Sequence, residues 1–224
     1  MDVREYLSIR RGYNLVRRED SGDSRLTFSE FAILCRLQNA GGSLKTSEIA
    51  DYQGSLRPTM THRTKHLSEL DHIERLKGSS DRRNVVCKIT DKGCNNIEQL
   101  CSRTCSNIPA GHALSRVTPD RMVRYVDAMG SVSCMSGDLI LLGLYEHEGD
   151  TCSMSDLVEA LGLLQPTVSM TVSSLVAQGY LERAASKDSS RTVRISLTPE
   201  GERAGREFKE QVEQLVVRRK PRNA

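Results

Sequence analysis

Apolar residues in the first half of the chain recur every third or fourth position, stop at Gly and Pro, and give way twice to short runs of alternating character. Val3, Tyr6, Leu7, Tyr13 and Val16 fall at helical intervals near the N-terminus. Thr27-Phe28-Ser29-Glu30 has the spacing of a capping box, and Phe31, Leu34 and Leu37 continue the helical period, so a helix opens there. Thr46-Ser47-Glu48-Ile49-Ala50 starts a short helix that stops near Gly54. Pro58 stands in the first turn of the next one, where its missing N–H leaves no bond unmade. This helix turns Met60, Leu67 and Leu70 toward a core and keeps Thr59, Thr61, His62, Arg63 and Lys65 polar and mostly outward. Ile73-Glu74-Arg75-Leu76 and Val85-Val86-Cys87-Lys88-Ile89 read as two strands joined by a polar stretch from Lys77 to Arg83, which predicts a hairpin with a basic tip. Thr90-Asp91-Lys92-Gly93 then opens a long helix through Ile97, Leu100 and Thr104.

The whole pattern occurs twice. Shifting the chain by 108 positions lays residues 22–93 on 130–201 without a gap, with about fifteen of roughly seventy positions identical. Gly41/Gly149, Gly54/Gly162, Pro58/Pro166, Thr59/Thr167, Glu74/Glu182, Arg75/Arg183, Arg83/Arg191 and Gly93/Gly201 are among the matches, and Ile33/Leu141, Ile49/Leu157 and Ile73/Leu181 keep the apolar positions. The second copy runs through Leu139 to Tyr145, Ser155 to Leu161, Pro166 to Leu175, Tyr180 to Arg183, Thr192 to Leu197 and a last helix from Pro199. Val117, Val123 and Val126 precede it as a further helix, capped by Thr118-Pro119-Asp120. Helix, helix-turn-helix, two-stranded wing and exit helix make a winged helix-turn-helix. The expected fold is mainly α with small β wings, an α+β class, as two tandem winged helices joined into a pseudo-dimer. The expected boundaries are 1–107 for the first domain, 108–116 for a linker, 117–220 for the second domain and 221–224 for the end of a basic tail.

Three segments of each copy carry a family resemblance. Pro58-Thr59-Met60-Thr61, Asp81-Arg82-Arg83-Asn84-Val85 and Ile89-Thr90-Asp91-Lys92-Gly93 resemble the recognition helix, wing and strand-to-helix junction of MarR-type regulators. Pro166-Thr167-Val168-Ser169, Gly179-Tyr180-Leu181-Glu182-Arg183 and Ser196-Leu197-Thr198-Pro199-Glu200-Gly201 repeat the pattern. The resemblance implies a sequence-specific, double-stranded DNA-binding transcription regulator, such as a repressor, acting on an imperfect palindrome near a promoter. It also implies that the helices flanking each winged helix pair the two heads, as a monomeric pseudo-dimer or a dimer of chains. Arg83 resembles the family's minor-groove arginine, and Asp81 is placed to pair with its guanidinium.

An α-helix fits the major groove, where Thr59, Thr61, His62 and Arg63 would meet base edges and Arg57 and Lys65 phosphates, with Arg82 joining Arg83 in the wing. The second recognition helix, Gln165 to Gln178, holds no charged residue, and Met170 stands where the resembling family commonly has Arg. Its candidates are Thr167, Ser169 and Ser173, with Lys187 and Arg191 in the wing, either reading a site weakly or serving mainly as a pairing partner. In the resembling family ligands lodge between the pairing helices and the winged helix. Here that crevice would be lined by Tyr6, Arg10 and Tyr13 with Cys94, Cys101 and Cys105, which would suit a small aromatic anion.

Charge and composition narrow the classes. The net charge of +3 divides unevenly, with 18 Lys and Arg against 14 Asp and Glu up to Gly111 and 14 against 15 beyond it, so the first half is the one suited to a polyanion. Only 4% of residues are aromatic, with no Trp, which leaves few parts for stacking single-stranded nucleic acid or caging sugars. The longest apolar run, around Leu139 to Leu142, is far short of the roughly 20 residues of a membrane span. Charges at Asp2, Arg4, Glu5, Arg10 and Arg11 interrupt any secretory signal, so a cytoplasmic protein is expected. Seven cysteines do not form a disulfide framework and are expected as free thiols, and His62 with His66 lacks the support a metal site needs. With no P-loop, dinucleotide turn or nucleophile elbow, no enzyme activity and no cofactor is expected. A plasmid-type replication initiator with two winged helices, and a protein–protein adaptor, are the alternatives.

Overall fold

The computed structural model describes residues 1–20, 25–77, 85–149, 151–185 and 193–217. Helix α1 (Val3–Glu19) starts on a capping box in which Asp2 and Glu5 each accept the other's backbone N–H, and buries Val3, Tyr6, Ile9, Tyr13 and Val16 along one face. Helix α2 (Phe28–Asn39) starts the same way on Thr27 and Glu30. After β1 (Ser43–Lys45) come α3 (Thr46–Tyr52) and α4 (Arg57–Glu69), joined by a turn in which Gly54 takes φ +56°. Strands β2 (Ile73–Lys77) and β3 (Val85–Ile89) lead into α5 (Asp91–Ser106). The second half repeats the order with α6 (Pro119–Met129), α7 (Ser136–Tyr145), β4 (Cys152–Ser153), α8 (Met154–Leu161), α9 (Gln165–Ala177), β5 (Leu181–Ala185), β6 (Val193–Leu197) and α10 (Pro199–Glu213).

Two details differ from the expectation. Each wing sheet has a third strand, in the antiparallel orders β1-β3-β2 and β4-β6-β5, and these added strands are only three and two residues long. Helix α6 is entered through Pro119 rather than a Thr118 side-chain cap; the Thr118 carbonyl accepts Arg121 and Met122 N–H instead.

One contiguous buried core runs through both halves. The segment between them is a succession of tight turns, with Ile108 buried and Leu114, at φ +65°, packed against the core. Contacts cross in both directions. From α1, Asn14 Nδ2 donates to the Leu161 carbonyl at 2.8 Å and Arg11 Nε to the Glu159 carbonyl at 2.9 Å, so the first half's leading helix holds the end of α8. Gly162, at φ +64°, lies so close that a Cβ there would come within 2.7 Å of the Arg11 carbonyl. From α6, Asp127 Oδ2 accepts Asn39 Nδ2 at 2.9 Å and faces Arg36 Nη1 at 3.7 Å, while the Asp127 carbonyl accepts the Tyr52 hydroxyl at 3.1 Å. Each half's helix-turn-helix is thus held by the leading helix of the other. Among the described residues no single helix is long and apolar enough to cross a membrane.

His72 marks the junction between α4 and β2. Its Nε2 meets Asn96 Nδ2 at 3.0 Å, its Nδ1 is buried without a partner among the described residues, and burial first, with Lys92 second, holds the imidazole below its usual range. A histidine lowered on folding contributes stability that is fully present above the unfolded value, near 6.5, and lost as pH falls through it toward the folded value. Urea midpoints are therefore expected to drop as pH falls below about 6.5, and His72→Gln to flatten that drop. An unchanged slope in the variant would assign the loss to other groups.

Candidate nucleic-acid interface

Helix α4 is anchored on its inner side by Met60 and Leu67, both fully buried, and by Thr64, whose Oγ1 donates to the Met60 carbonyl at 2.9 Å. A second brace joins it to α2, where His66 Nδ1 meets Glu30 Oε1 at 2.7 Å with the Glu30 side chain only 5% exposed. With that face fixed, Arg57, Thr59, Thr61, His62 and Lys65 are exposed together on the other. Arg57, Thr61 and Lys65 follow at steps of four along one ridge. Lys65 Nζ lies 3.4 Å from Glu69 across an exposed i,i+4 pair, which holds the ammonium only weakly. Arg63 lies at the edge of the patch, half-buried, with Nη1 3.4 Å from Gln53 Oε1 and 3.5 Å from Ser55 Oγ. Gln53 is buried and itself donates to the Ser29 carbonyl, so the turn before the helix aims this guanidinium. Sequence reading missed Gln53 and Ser55, since nothing but their place beside Gly54 marks them.

In the second half, Ser169 is exposed and Thr167 partly covered. Met170 stands 75% exposed where the first helix has His62. The Ser173 hydroxyl is engaged on two sides, donating to the Ser169 carbonyl at 2.8 Å and accepting from Arg183 Nη2 at 2.7 Å. The two heads therefore differ in kind, one cationic and one neutral along the helix itself. Of the wing residues, Asp81, Arg82, Arg83, Lys187 and Arg191 lie outside the described residues; the strands that carry the wings pair as far as Lys77 with Val85 and Ala185 with Val193.

The residues expected to line a ligand crevice are dispersed over different packing contacts. Tyr6 is fully buried, edge-on to Phe208 of α10 with centroids 6.0 Å apart. Tyr13 stacks on Phe31 at 4.9 Å and donates its hydroxyl to the Leu26 carbonyl at 3.0 Å, and burial raises that hydroxyl well above the usual phenol range. The Arg10 guanidinium lies 4.3 Å over the Phe28 ring and the residue is 8% exposed. Cys101 is buried facing Cys35 on α2, Cys94 and Cys105 are half-buried, and burial with Cys101 alongside pushes the Cys105 thiol up to about 11. A thiol so raised is protonated and slow to react at neutral pH. Among the described residues no group of three His, Cys, Asp or Glu side chains is arranged to hold a metal ion.

No curated protein matches the chain. Similar solved structures include BpsR of Bordetella bronchiseptica, whose DNA binding is regulated by 6-hydroxynicotinic acid. It is 28% identical over 36% of this chain, which spans 63% of that protein, with a TM-score of 0.31. MepR of S. aureus in complex with DNA is 21% identical over 45% of this chain and 84% of its own, with a TM-score of 0.32. A MepR mutant from a multidrug-resistant S. aureus clinical isolate is 21% identical over 45% and 70%, with a TM-score of 0.33. Family models described as MarR family match residues 26–85 and residues 139–192, one on each winged helix. The chain belongs to the MarR family and carries two of its winged helix-turn-helix domains in tandem.

Proposed function

We propose that this protein is a sequence-specific, double-stranded DNA-binding transcription regulator in which one chain presents both reading heads. The observation that carries the proposal is the exposed face of α4, where Arg57, Thr59, Thr61, His62 and Lys65 stand clear of the core with Arg63 beside them. Short polar side chains at the start of such a helix reach base edges in the major groove, while the cations flanking them neutralise phosphates. The wing residues Arg82 and Arg83, with Asp81 beside them, extend the contact to the minor groove, and Lys187 and Arg191 do so in the second half. The halves, 1–107 and 117–220, act as a covalent pseudo-dimer, because the crossed contacts of α1 and α6 tie each head to the other's leading helix. A small aromatic anion as effector would need Arg10, the cation of the expected crevice, to leave the Phe28 ring that now covers it.

Selection of bound sites from random duplex DNA, followed by sedimentation of the complex, tests this reading. A single chain is expected to protect one imperfect palindrome whose half-sites are about one helical turn, roughly 34 Å, apart. Arg63→Ala is expected to weaken binding by about 1–3 kcal/mol, and Thr167→Ala by less. Absence of any enriched duplex would overturn the proposal. Equal losses from the two variants would overturn the asymmetry. The neutral face of α9, with Met170 75% exposed, favours a second reading in which that head docks a protein. Footprints confined to one half-site would support it.

A further inference from the structure

The second recognition helix has no charge of its own, yet a guanidinium stands on its exposed face. Arg183, from β5, is exposed and donates to Ser173 Oγ on α9. Ser173 is the counterpart, 108 residues on, of Lys65 in the first helix, whose side chain is 67% exposed. The corresponding turn of both heads therefore bears a cation, supplied by the helix in one and by the neighbouring strand in the other.

The first-half counterpart of Arg183 is Arg75, and it runs the other way. Arg75 is half-buried, its Nε shielded from solvent, beside the Cys87 thiol, which also has Thr46 Oγ1 at 3.4 Å and Thr64 close by. In the second half Thr46, Thr64 and Cys87 are replaced by Met154, Val172 and Ile195, and the last two are fully buried. A guanidinium laid on that apolar surface would lose its hydration with no polar group in exchange. Turned outward, it keeps water and gains the Ser173 hydroxyl. The replacement of Lys65 by Ser173 and of three polar neighbours by apolar ones thus act together to move the cation from the helix to the strand.

We propose that Arg183 is a DNA-contacting cation of the second head beside those of its wing, held over α9 by Ser173 to neutralise a backbone phosphate of the second half-site. The proposal rests on the DNA-binding reading above. Its test compares wild type, Arg183→Ala, Arg183→Gln, Arg183→Lys and Ser173→Ala on the duplex enriched by the wild-type chain, titrated over a range of salt with hydroxyl-radical footprints of each complex. Arg183→Ala and Arg183→Gln are expected to bind roughly tenfold more weakly near 0.1 M salt, with the log–log salt slope shallower by about one unit and protection reduced on one half-site alone. Arg183→Lys restores the slope, and Ser173→Ala, which removes the tether and keeps the charge, leaves it unchanged. Gln can still donate to Ser173, so a purely structural role would be satisfied by Gln and not by Ala. An unchanged slope in both Ala and Gln variants, or a Gln variant that behaves as wild type, overturns the proposal. Failure of the wild-type chain to bind any duplex overturns the regulator reading itself, and the wild-type titration tells the two failures apart.

Discussion

Gly93→Ala is expected to destabilise the chain by about 3 kcal/mol, seen as a lower urea midpoint with an unchanged slope. A Cβ at Gly93 would lie inside contact distance of the His72 carbonyl oxygen, in the turn before β2, and 2.9 Å from Ile89 Cγ1, at the strand-to-helix junction. That junction is a knot of short bonds. Thr90 Oγ1 donates to the Asp71 carbonyl at 2.6 Å and accepts the Gly93 N–H at 3.0 Å, and Thr90 N–H goes to the His72 carbonyl at 3.1 Å. The backbone cannot move away without breaking these, so the added methyl has no cheap relaxation. The second half ties the same knot with Thr198, Gly179, Tyr180 and Gly201, so Gly201→Ala should cost a similar amount. Gly137 supplies the contrast, since a Cβ there would meet only Leu175 Cδ2 at 3.7 Å and Ala favours helix. Gly137→Ala should leave the midpoint unchanged or raise it. Equal midpoints for Gly93→Ala and Gly137→Ala would show that the junction yields.

Asp127→Ala is expected to cost about 3 kcal/mol and to loosen the first head more than the second. The Asp127 side chain is 10% exposed, and its removal leaves Arg36, 26% exposed, without its counter-charge and Asn39 without its acceptor. Arg36 also lies 3.9 Å over the Tyr52 ring, so the loss reaches from α6 through α2 to the end of α3. Asp127→Asn keeps an acceptor for Asn39 and should lose less. Native-state hydrogen exchange checks the location: amides of α2 and α3 should open at lower free energy while those of α8 hold. Uniform loss of protection across both halves would mean the contact stabilises the core in general rather than one head.

The pattern that repeats every 108 residues makes the heads legible in the sequence alone. Thr27 with Glu30, Pro58, Pro166 and the Thr-x-x-Gly junctions are local devices, settled within one turn of backbone, and each is found where its spacing put it. Strands β1 and β4 were not legible, because two or three residues cannot show an alternation and their pairing partner lies some forty positions away. The exposed cations and hydroxyls of α4 followed from helical periodicity alone. Gln53, Ser55, Asp127 and Arg183 did not, since each acts through a neighbour that only tertiary folding supplies. The expectation that the cysteine and tyrosine positions of α1 and α5 line a crevice comes from the family resemblance, which places ligands between those helices, and not from any local pattern. In the fold Tyr6, Tyr13 and Cys101 turn to three different partners, on α10 and on two parts of α2.

Asn14 on one side and Asp127 on the other clasp the heads with different chemistry, an amide to a helix end and a carboxylate to a guanidinium. A pair of identical subunits changes both of its heads with every mutation and has no front or back. Here each head is encoded once, and the clasps keep the pair together whichever recognition residues change. Under the proposed function, recognition would be free to drift on one side while the spacing between heads stays constant, and the chain would gain a direction along its site, telling a sequence from the same sequence turned end for end.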